Sequence, residues 1–319
     1  MSLGEFDIIR RFFATRASRS DVQVGIGDDA AVLHPRADRK LVLAMDTIIE
    51  GVHFLKNTSG FDVGFRALAV NLSDLAAMGA EPSWMSLSLS LPDANAAWLE
   101  DFARGLFDLA DRYDVALIGG DTVRGPMVIT VQVGGWIECD RWLTRSGAQP
   151  GDNVYVTGTL GDASAGLATL RDRINSTQAS HLQQRFLRPE PRIAAGRALR
   201  TIANAAMDVS DGLLADAAKL AEASHCGMTI DVDALPLSKE LRASFNEEDR
   251  LTHALSGGDD YELLFTASAA HVQQLASGSI AAVPVTRIGV IESAPGIRCE
   301  RGGQLYSPRS TGYDHFAQD

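Results

Sequence analysis

The chain has 319 residues, 45% of them hydrophobic and 22% charged, which suits one large or two ordinary globular domains whose cores need no disulfide staples. Its formal net charge of −12 argues against a nucleic-acid surface, because phosphate-backbone binding needs a basic footprint. Cys139, Cys226 and Cys299 are far apart and form no CxxC pair, which argues against a zinc or disulfide framework and fits a reducing compartment.

Residues 5–14 read as an amphipathic helix in which Glu5, Asp7, Arg10 and Arg11 break any apolar leader. No apolar run reaches the roughly 18 residues of a membrane span, so the expectation is a cytoplasmic protein with neither membrane nor nucleic-acid partner. LVLAM (41–45) reads as a short strand ending at Asp46. From Val63 to Met78 apolar residues recur at helical spacing, with Gly79 as the C-terminal cap. MSLSLSL (85–91) alternates with period two, the pattern of a strand with one buried face, and is a candidate dimer-interface strand.

A helix over 95–112 and strands at VALIGG (115–120) and VITVQVGGWI (128–137) follow. The polar stretch TRSGAQPGDN (144–153) marks a boundary, dividing the chain into domains 1–143 and 144–319. Beyond it come a strand at VYVTG (154–158), helices from Asp162, Arg192 and Asp211, and strands near MTIDV (228–232) and ELLFTA (262–267). Helices and strands are interspersed in both halves, which predicts an α/β (α+β) fold in two domains.

The aspartates are unevenly placed. Five loop motifs set them beside small residues: Gly27-Asp28-Asp29, Met45-Asp46-Thr47, Gly119-Gly120-Asp121, Asp208-Val209-Ser210-Asp211-Gly212 and Gly257-Gly258-Asp259-Asp260. Asp74 lies in the apolar helix near Leu72, Leu75 and Met78, with Asn71 one turn earlier; a carboxylate there costs several kcal/mol unless paired or metal-bound. Any single motif also reads as turn chemistry, and Ser210 or Asp211 as a helix cap.

The chain has only four lysines, Lys40, Lys56, Lys219 and Lys239, none of which follows a glycine, so the lysine-bearing phosphate loop of P-loop proteins is absent. HRD, DFG and HExxH elements are absent too. Many aspartates with few lysines point to nucleotide held through divalent cations. Mg²⁺ takes oxygen ligands from a few carboxylates, water and phosphate, and glycines let backbone N–H groups approach phosphate oxygens.

The ordered set GIGDDAA (25–31), DTIIEGVHF (46–54), ALAVNLSDLAAMGAEP (67–82), LIGGDTVRG (117–125), TRSGAQPGD (144–152), VYVTGTLGD (154–162), DVSDGL (208–213), SGGDDYELLF (256–265) and GYDHF (312–316) resembles bacterial thiamine-monophosphate kinases almost end to end. The resemblance implies the two-domain fold shared with aminoimidazole ribonucleotide synthetase and a homodimer paired through N-terminal sheets. It also implies Mg²⁺-assisted transfer of the ATP γ-phosphoryl group to thiamine monophosphate.

Carried over by motif, Asp29, Asp46, Asp74, Asp121, Asp208 and Asp211 resemble the magnesium ligands, with Asp46, Asp74 and Asp121 at the reaction centre. Gly120, Asp121, Arg145 and Ser210 resemble nucleotide contacts, and His53, Asp259 and Tyr313 contacts to the thiamine phosphate. Two positions depart from the family pattern. Ala44-Met45 precede Asp46 where relatives often carry Ser or Thr, so Met45 could ligate only through its carbonyl or a water; Asp259 stands where relatives often have Glu.

The residues leave bland alternatives: a packed histidine for His53, a solvated charge for Arg145 and a core aromatic for Tyr313. Rival functions are another ATP-dependent synthetase of the superfamily, or a non-catalytic nucleotide or metal sensor. A selenophosphate synthetase would need a reactive cysteine near the N-terminus, and the first here is Cys139. A hydrogenase-maturation relative would end in cysteine, whereas this chain ends in Asp319.

Overall fold

The computed structural model describes residues 4–14 and 19–313. The chain divides into two compact units, one running to Leu75 and including Ala80–Asp140, the other made of Ala76–Gly79 and the chain from Arg141 onward.

In the first unit, helix α1 (Glu5–Ile8) runs into a π-helical turn at Ile9–Phe13. Strands β1 (Val22–Val24) and β2 (Val32–Leu33) pair antiparallel and flank the 25–31 loop. They are followed by β3 (Arg39–Ile49), α2 (Gly60–Ala77), β4 (Glu81–Leu91), α3 (Ala96–Arg112), β5 (Ala116–Arg124) and β6 (Val128–Glu138). The sheet order is β3-β6-β4-β5, with β4 parallel to β5 and the other pairs antiparallel.

The alternation in 85–91 is realised as expected: Met85, Leu87, Leu89 and Leu91 are buried while Ser88 is exposed. Both edges of β4 are paired, so only its face is available to a partner. Strand β3 is longer than LVLAM and does not stop before Asp46. Its eleven-residue ladder with β6 supplies the backbone hydrogen bonds that let Asp46 and Thr47 sit inside a strand.

Helix α2 ends as its glycine signals. Gly79 takes φ +73°, and the N–H groups of Gly79 and Ala80 return to the carbonyls of Ala76 and Leu75 at 2.9 and 2.8 Å. A Cβ on Gly64 would lie 2.1 Å from the Phe102 carbonyl oxygen, and one on Gly105 would lie 2.0 Å from that of Phe61, so only glycine permits this approach of α2 to α3. Leu75 of α2 packs against Gly135 of β6, which places the helix on one face of the sheet. On the other face Leu41, Leu43 and Met45 are 48, 52 and 63% exposed.

The second unit contains β7 (Asn153–Thr157), α4 (Asp162–Arg171), α5 (Thr177–Leu187), α6 (Ile193–Leu199), β8 (Ala205–Asp208), α7 (Leu213–Ala223) and β9 (Gly227–Asp231). It continues with α8 (Lys239–Ser244), α9 (Glu247–Ser256), β10 (Leu263–Ala267), α10 (Val272–Leu275), β11 (Ser279–Ile280), β12 (Val283–Glu292), β13 (Gly296–Arg301) and β14 (Gln304–Tyr306). Its sheet runs β14-β13-β9-β12-β7-β10-β8 and is antiparallel except for β13 beside β9, with β11 pairing β12. Both units are therefore mixed α/β. Among the described residues no helix is long and apolar enough to cross a membrane.

A polar strap secures the segment that carries the 25–31 loop. Arg19 Nε meets Asp21 Oδ1 at 2.9 Å, and its guanidinium also reaches the carbonyl and carboxylate of Asp114. Ser83 donates to Asp21 Oδ2 at 3.2 Å and accepts from Trp136 Nε1 at 3.2 Å. Burial by itself would raise the Asp21 carboxyl, but the Arg19 hydrogen bond and charge, with the Ser83 hydroxyl, outweigh it and hold Asp21 below the ordinary aspartate range. Its stabilising contribution is therefore complete above that range and lost as pH falls through the depressed folded value. Arg19→Ala is expected to cost about 1.5–3 kcal/mol near neutral pH, the worth of charged hydrogen bonds. Denaturant titrations at pH 7 and pH 3 check this: the gap between wild type and variant should narrow at pH 3, and a constant gap would assign the loss to packing.

Candidate active site

In the first unit the 25–31 and 117–125 motifs line one cleft of about 970 Å³. Gly27, Asp28 and Asp29 form one wall, Gly119, Gly120 and Asp121 another, and Phe6, Ile9 and Phe13 of the N-terminal helical segment supply an apolar side. Gly120 is required there because a Cβ would lie 1.8 Å from the Leu87 carbonyl oxygen. Asp29 and Asp121 are solvent-exposed, and the Asp121 carboxylate accepts the Thr122 N–H at 3.0 Å.

Asp46 is tied to α2 by Asn71, whose side-chain oxygen accepts the Asp46 N–H at 2.8 Å while its amide donates to the Ala67 carbonyl at 2.9 Å. Arg66, Asn71 and Ser73 are the buried polar residues of this helix, and Asp74 is only partly buried, contrary to the expectation of a carboxylate embedded among apolar side chains. Helical geometry puts Asp74 one turn beyond Asn71, at the border of the packed face. His53 is partly buried, and its Nδ1 accepts the Ile49 N–H at 3.1 Å. A neutral ring in this pose carries its proton on Nε2.

The second unit brings three well-separated motifs together. Asp259 N–H donates to the Ser210 carbonyl at 2.8 Å, Tyr261 N–H to that of Val209 at 2.9 Å, and Tyr313 N–H to that of Asp211 at 3.0 Å. A Cβ on Gly258 would lie 2.4 Å from the Ser210 carbonyl oxygen, so this close approach needs glycine. Asp259 and Tyr261 adopt φ of +71° and +51°, and the Tyr261 hydroxyl donates to Asp259 Oδ1 at 3.1 Å. Tyr313 is 52% exposed, which excludes the core-aromatic alternative. Asp208 is buried at the end of β8, and Arg145 is exposed in a loop whose carbonyl is held by the Ser224 hydroxyl at 2.9 Å. Asp314, His315 and Phe316 of the last motif lie outside the described residues.

Ser210 and Asp211 do not cap the following helix. The cap position of α7 is Gly212, and Asp216, inside the helix, accepts the N–H groups of Ser210 and Asp211 at 2.9 and 3.0 Å. Burial pushes the Asp216 carboxyl up, against the pull of its Lys219 partner. Asp216 belongs to none of the sequence motifs, yet an aspartate among Leu213, Leu214, Ala217 and Leu220 is the same sequence anomaly as Asp74 among its leucines.

Two further buried acids hold the surrounding frame. Asp260 accepts the N–H groups of Gly161 and Ala163 at 2.7 and 3.3 Å at the start of α4, and burial drives its carboxyl well above the usual range. Glu262 receives Thr157 Oγ1 at 2.7 Å, Arg185 Nη2 at 2.8 Å and Arg192 Nε at 2.7 Å.

Among the described residues no three His, Cys, Asp or Glu side chains are grouped to hold a metal ion by themselves. The donors present, aspartate oxygens in both units, nevertheless fit Mg²⁺, which takes one or two carboxylates and completes its shell with water and substrate phosphate. They do not fit a soft metal, which would need thiolate or imidazole ligands.

Comparison with known proteins agrees with this layout. The family described as AIR synthase related protein, N-terminal domain, matches residues 27–137, and its C-terminal domain counterpart matches residues 149–301. The chain is 48% identical to thiamine-monophosphate kinase of Escherichia coli (strain K12), covering 99% of each chain. Among solved structures, thiamine-monophosphate kinase from Stenotrophomonas maltophilia K279a is 46% identical with a TM-score of 0.86, covering 96% of this chain and 99% of that one. AaThiL complexed with AMPPCP and TMP is 36% identical with a TM-score of 0.79, covering 98% and 97%. The chain therefore belongs to the thiamine-monophosphate kinase family, within the AIR synthase-related proteins.

Proposed function

We propose that the chain transfers the γ-phosphoryl group of ATP directly to the phosphate of thiamine monophosphate, giving thiamine diphosphate and ADP. The observation that carries this reading is the meeting of the 208–213, 256–265 and 312–313 segments at one place, in a chain of this family. The acceptor is itself a phosphate, with a second pKa of about 6, so at neutral pH its attacking oxygen is already largely deprotonated. No general base is required, and catalysis reduces to positioning and electrostatics.

We assign Asp29, Asp46, Asp74, Asp121, Asp208 and Asp211 as the Mg²⁺ ligands, with Asp46, Asp74 and Asp121 nearest the transferred group. Bound there, Mg²⁺ would neutralise charge on the phosphates, which a chain of net charge −12 cannot do with lysines. Gly120, Asp121, Arg145 and Ser210 serve the nucleotide. His53, Asp259 and Tyr313 serve thiamine monophosphate, whose thiazolium ring is permanently cationic. The partly exposed Tyr313 ring and the Asp259 carboxylate offer that cation an aromatic face and a counter-charge, the former worth about 0.5–2 kcal/mol. A cytoplasmic setting follows from dependence on ATP.

The open face of the first unit's sheet supports a homodimer. Leu41, Leu43 and Met45 project from β3 at every second residue and are all about half exposed or more, a strip of the kind that marks an interface. Leu43→Asp is expected to convert a dimer into monomers in light scattering. A variant that keeps the wild-type mass would put the interface elsewhere.

The decisive assay is ATP turnover with and without thiamine monophosphate, scored for thiamine diphosphate, with activity expected to vanish in chelator. Asp259→Ala and Tyr313→Ala should raise KM for thiamine monophosphate more than for ATP, about tenfold if each removes roughly 1.4 kcal/mol of ground-state binding. Asp121→Ala should instead lower kcat and weaken nucleotide use. Normal thiamine monophosphate affinity with weakened ATP affinity in the first two variants would reverse the assignment of the half-sites.

A further inference from the structure

The Asp211 carboxylate already has a cation beside it. Lys219, about two turns along α7, donates through Nζ to Asp211 Oδ2. The same ammonium donates to Asp216 Oδ1 at 2.8 Å, while Asp216 Oδ2 takes the N–H groups of Ser210 and Asp211. The two acids differ in burial: the Asp216 side chain is fully buried, whereas Asp211 and Lys219 are 36 and 38% exposed.

We propose that Lys219 is an internal stand-in for the divalent cation, holding Asp211 in the metal-free chain and releasing it to the metal while staying tethered to Asp216. The inference rests on the assignment of Asp211 as a metal ligand. An ion pair exposed to this degree is weakly held, so its exchange is reversible. A fully buried carboxylate deprived of its cation is costly, so the Lys219–Asp216 bond persists through the exchange. Asp216 also fixes the backbone at 210–211, so the carboxylate handed over stays where the loop places it. Lys219 is thus a positioning residue: it keeps Asp211 ordered and, as a positive charge beside the metal, weakens cation binding.

That sign separates the proposal from a merely structural role, because a structural defect can only weaken metal binding. Mn²⁺ binding to the full chain, followed by the electron-spin resonance of free Mn²⁺ without nucleotide and with a non-hydrolysable ATP analogue, tests it. Lys219→Gln is expected to bind Mn²⁺ about three- to tenfold more tightly than wild type. Lys219→Arg, whose forked donors grip both carboxylates, is expected to bind it about two- to fivefold more weakly. If Lys219→Gln binds Mn²⁺ no more tightly than wild type while Asp211→Asn binds it more weakly, the exchange is overturned and the ligand assignment stands. If Asp211→Asn binds Mn²⁺ at wild-type strength, the ligand assignment fails and the exchange fails with it. Should Lys219→Gln not fold, Lys219→Arg decides, since binding as tight as wild type or tighter overturns the proposal.

Discussion

Three backbone hydrogen bonds, from Asp259, Tyr261 and Tyr313 to the carbonyls of 209–211, hold three motif segments of the second unit together. They join segments roughly fifty residues apart in the chain, and each uses main-chain groups, so side chains remain for chemistry. The bonds require unusual backbone. Asp259 and Tyr261 sit at positive φ, and Gly258 lies where a side chain would strike the Ser210 carbonyl. Non-glycine residues in that region cost of order 1–3 kcal/mol each, so the neighbouring structure must hold them there. Asp260 and Glu262 do so by fastening the segment to α4, β7, Arg185 and Arg192. The buried acids in this unit are thus structural in different senses. Asp260 caps a helix, Glu262 clamps two arginines, and Asp216 shapes the 208–213 loop.

The second governing constraint is charge. A strongly acidic protein that takes two anionic substrates has to offset their charge with basic residues or bound cations, and few of its basic residues are lysines. The first unit carries exposed carboxylates, Asp29 and Asp121, in a cleft whose glycines bring backbone close.

What the sequence by itself determined was local and periodic. The alternation of 85–91 named the buried face of β4, helical spacing with Gly79 located α2 and its stop, and the ordered motifs identified the family and supplied the candidate site residues. These signals travel in the sequence because side-chain periodicity and glycine's conformational freedom are properties of short segments. Only the tertiary structure decided the rest. Ala205–Asp208, with two helix-favouring alanines, is a strand because β10 offers it a ladder. Strand β3 runs through Asp46 because β6 pairs with it to Ile49. Arg66, Asn71 and Ser73 are buried on α2 while Asp74 stays only partly buried, and Asp216 with Lys219 took charge of the 208–213 loop. In each case the deciding partner lies on another element or another turn. A carboxylate's neighbours are set by which surfaces meet, a long-range outcome that no window of residues encodes.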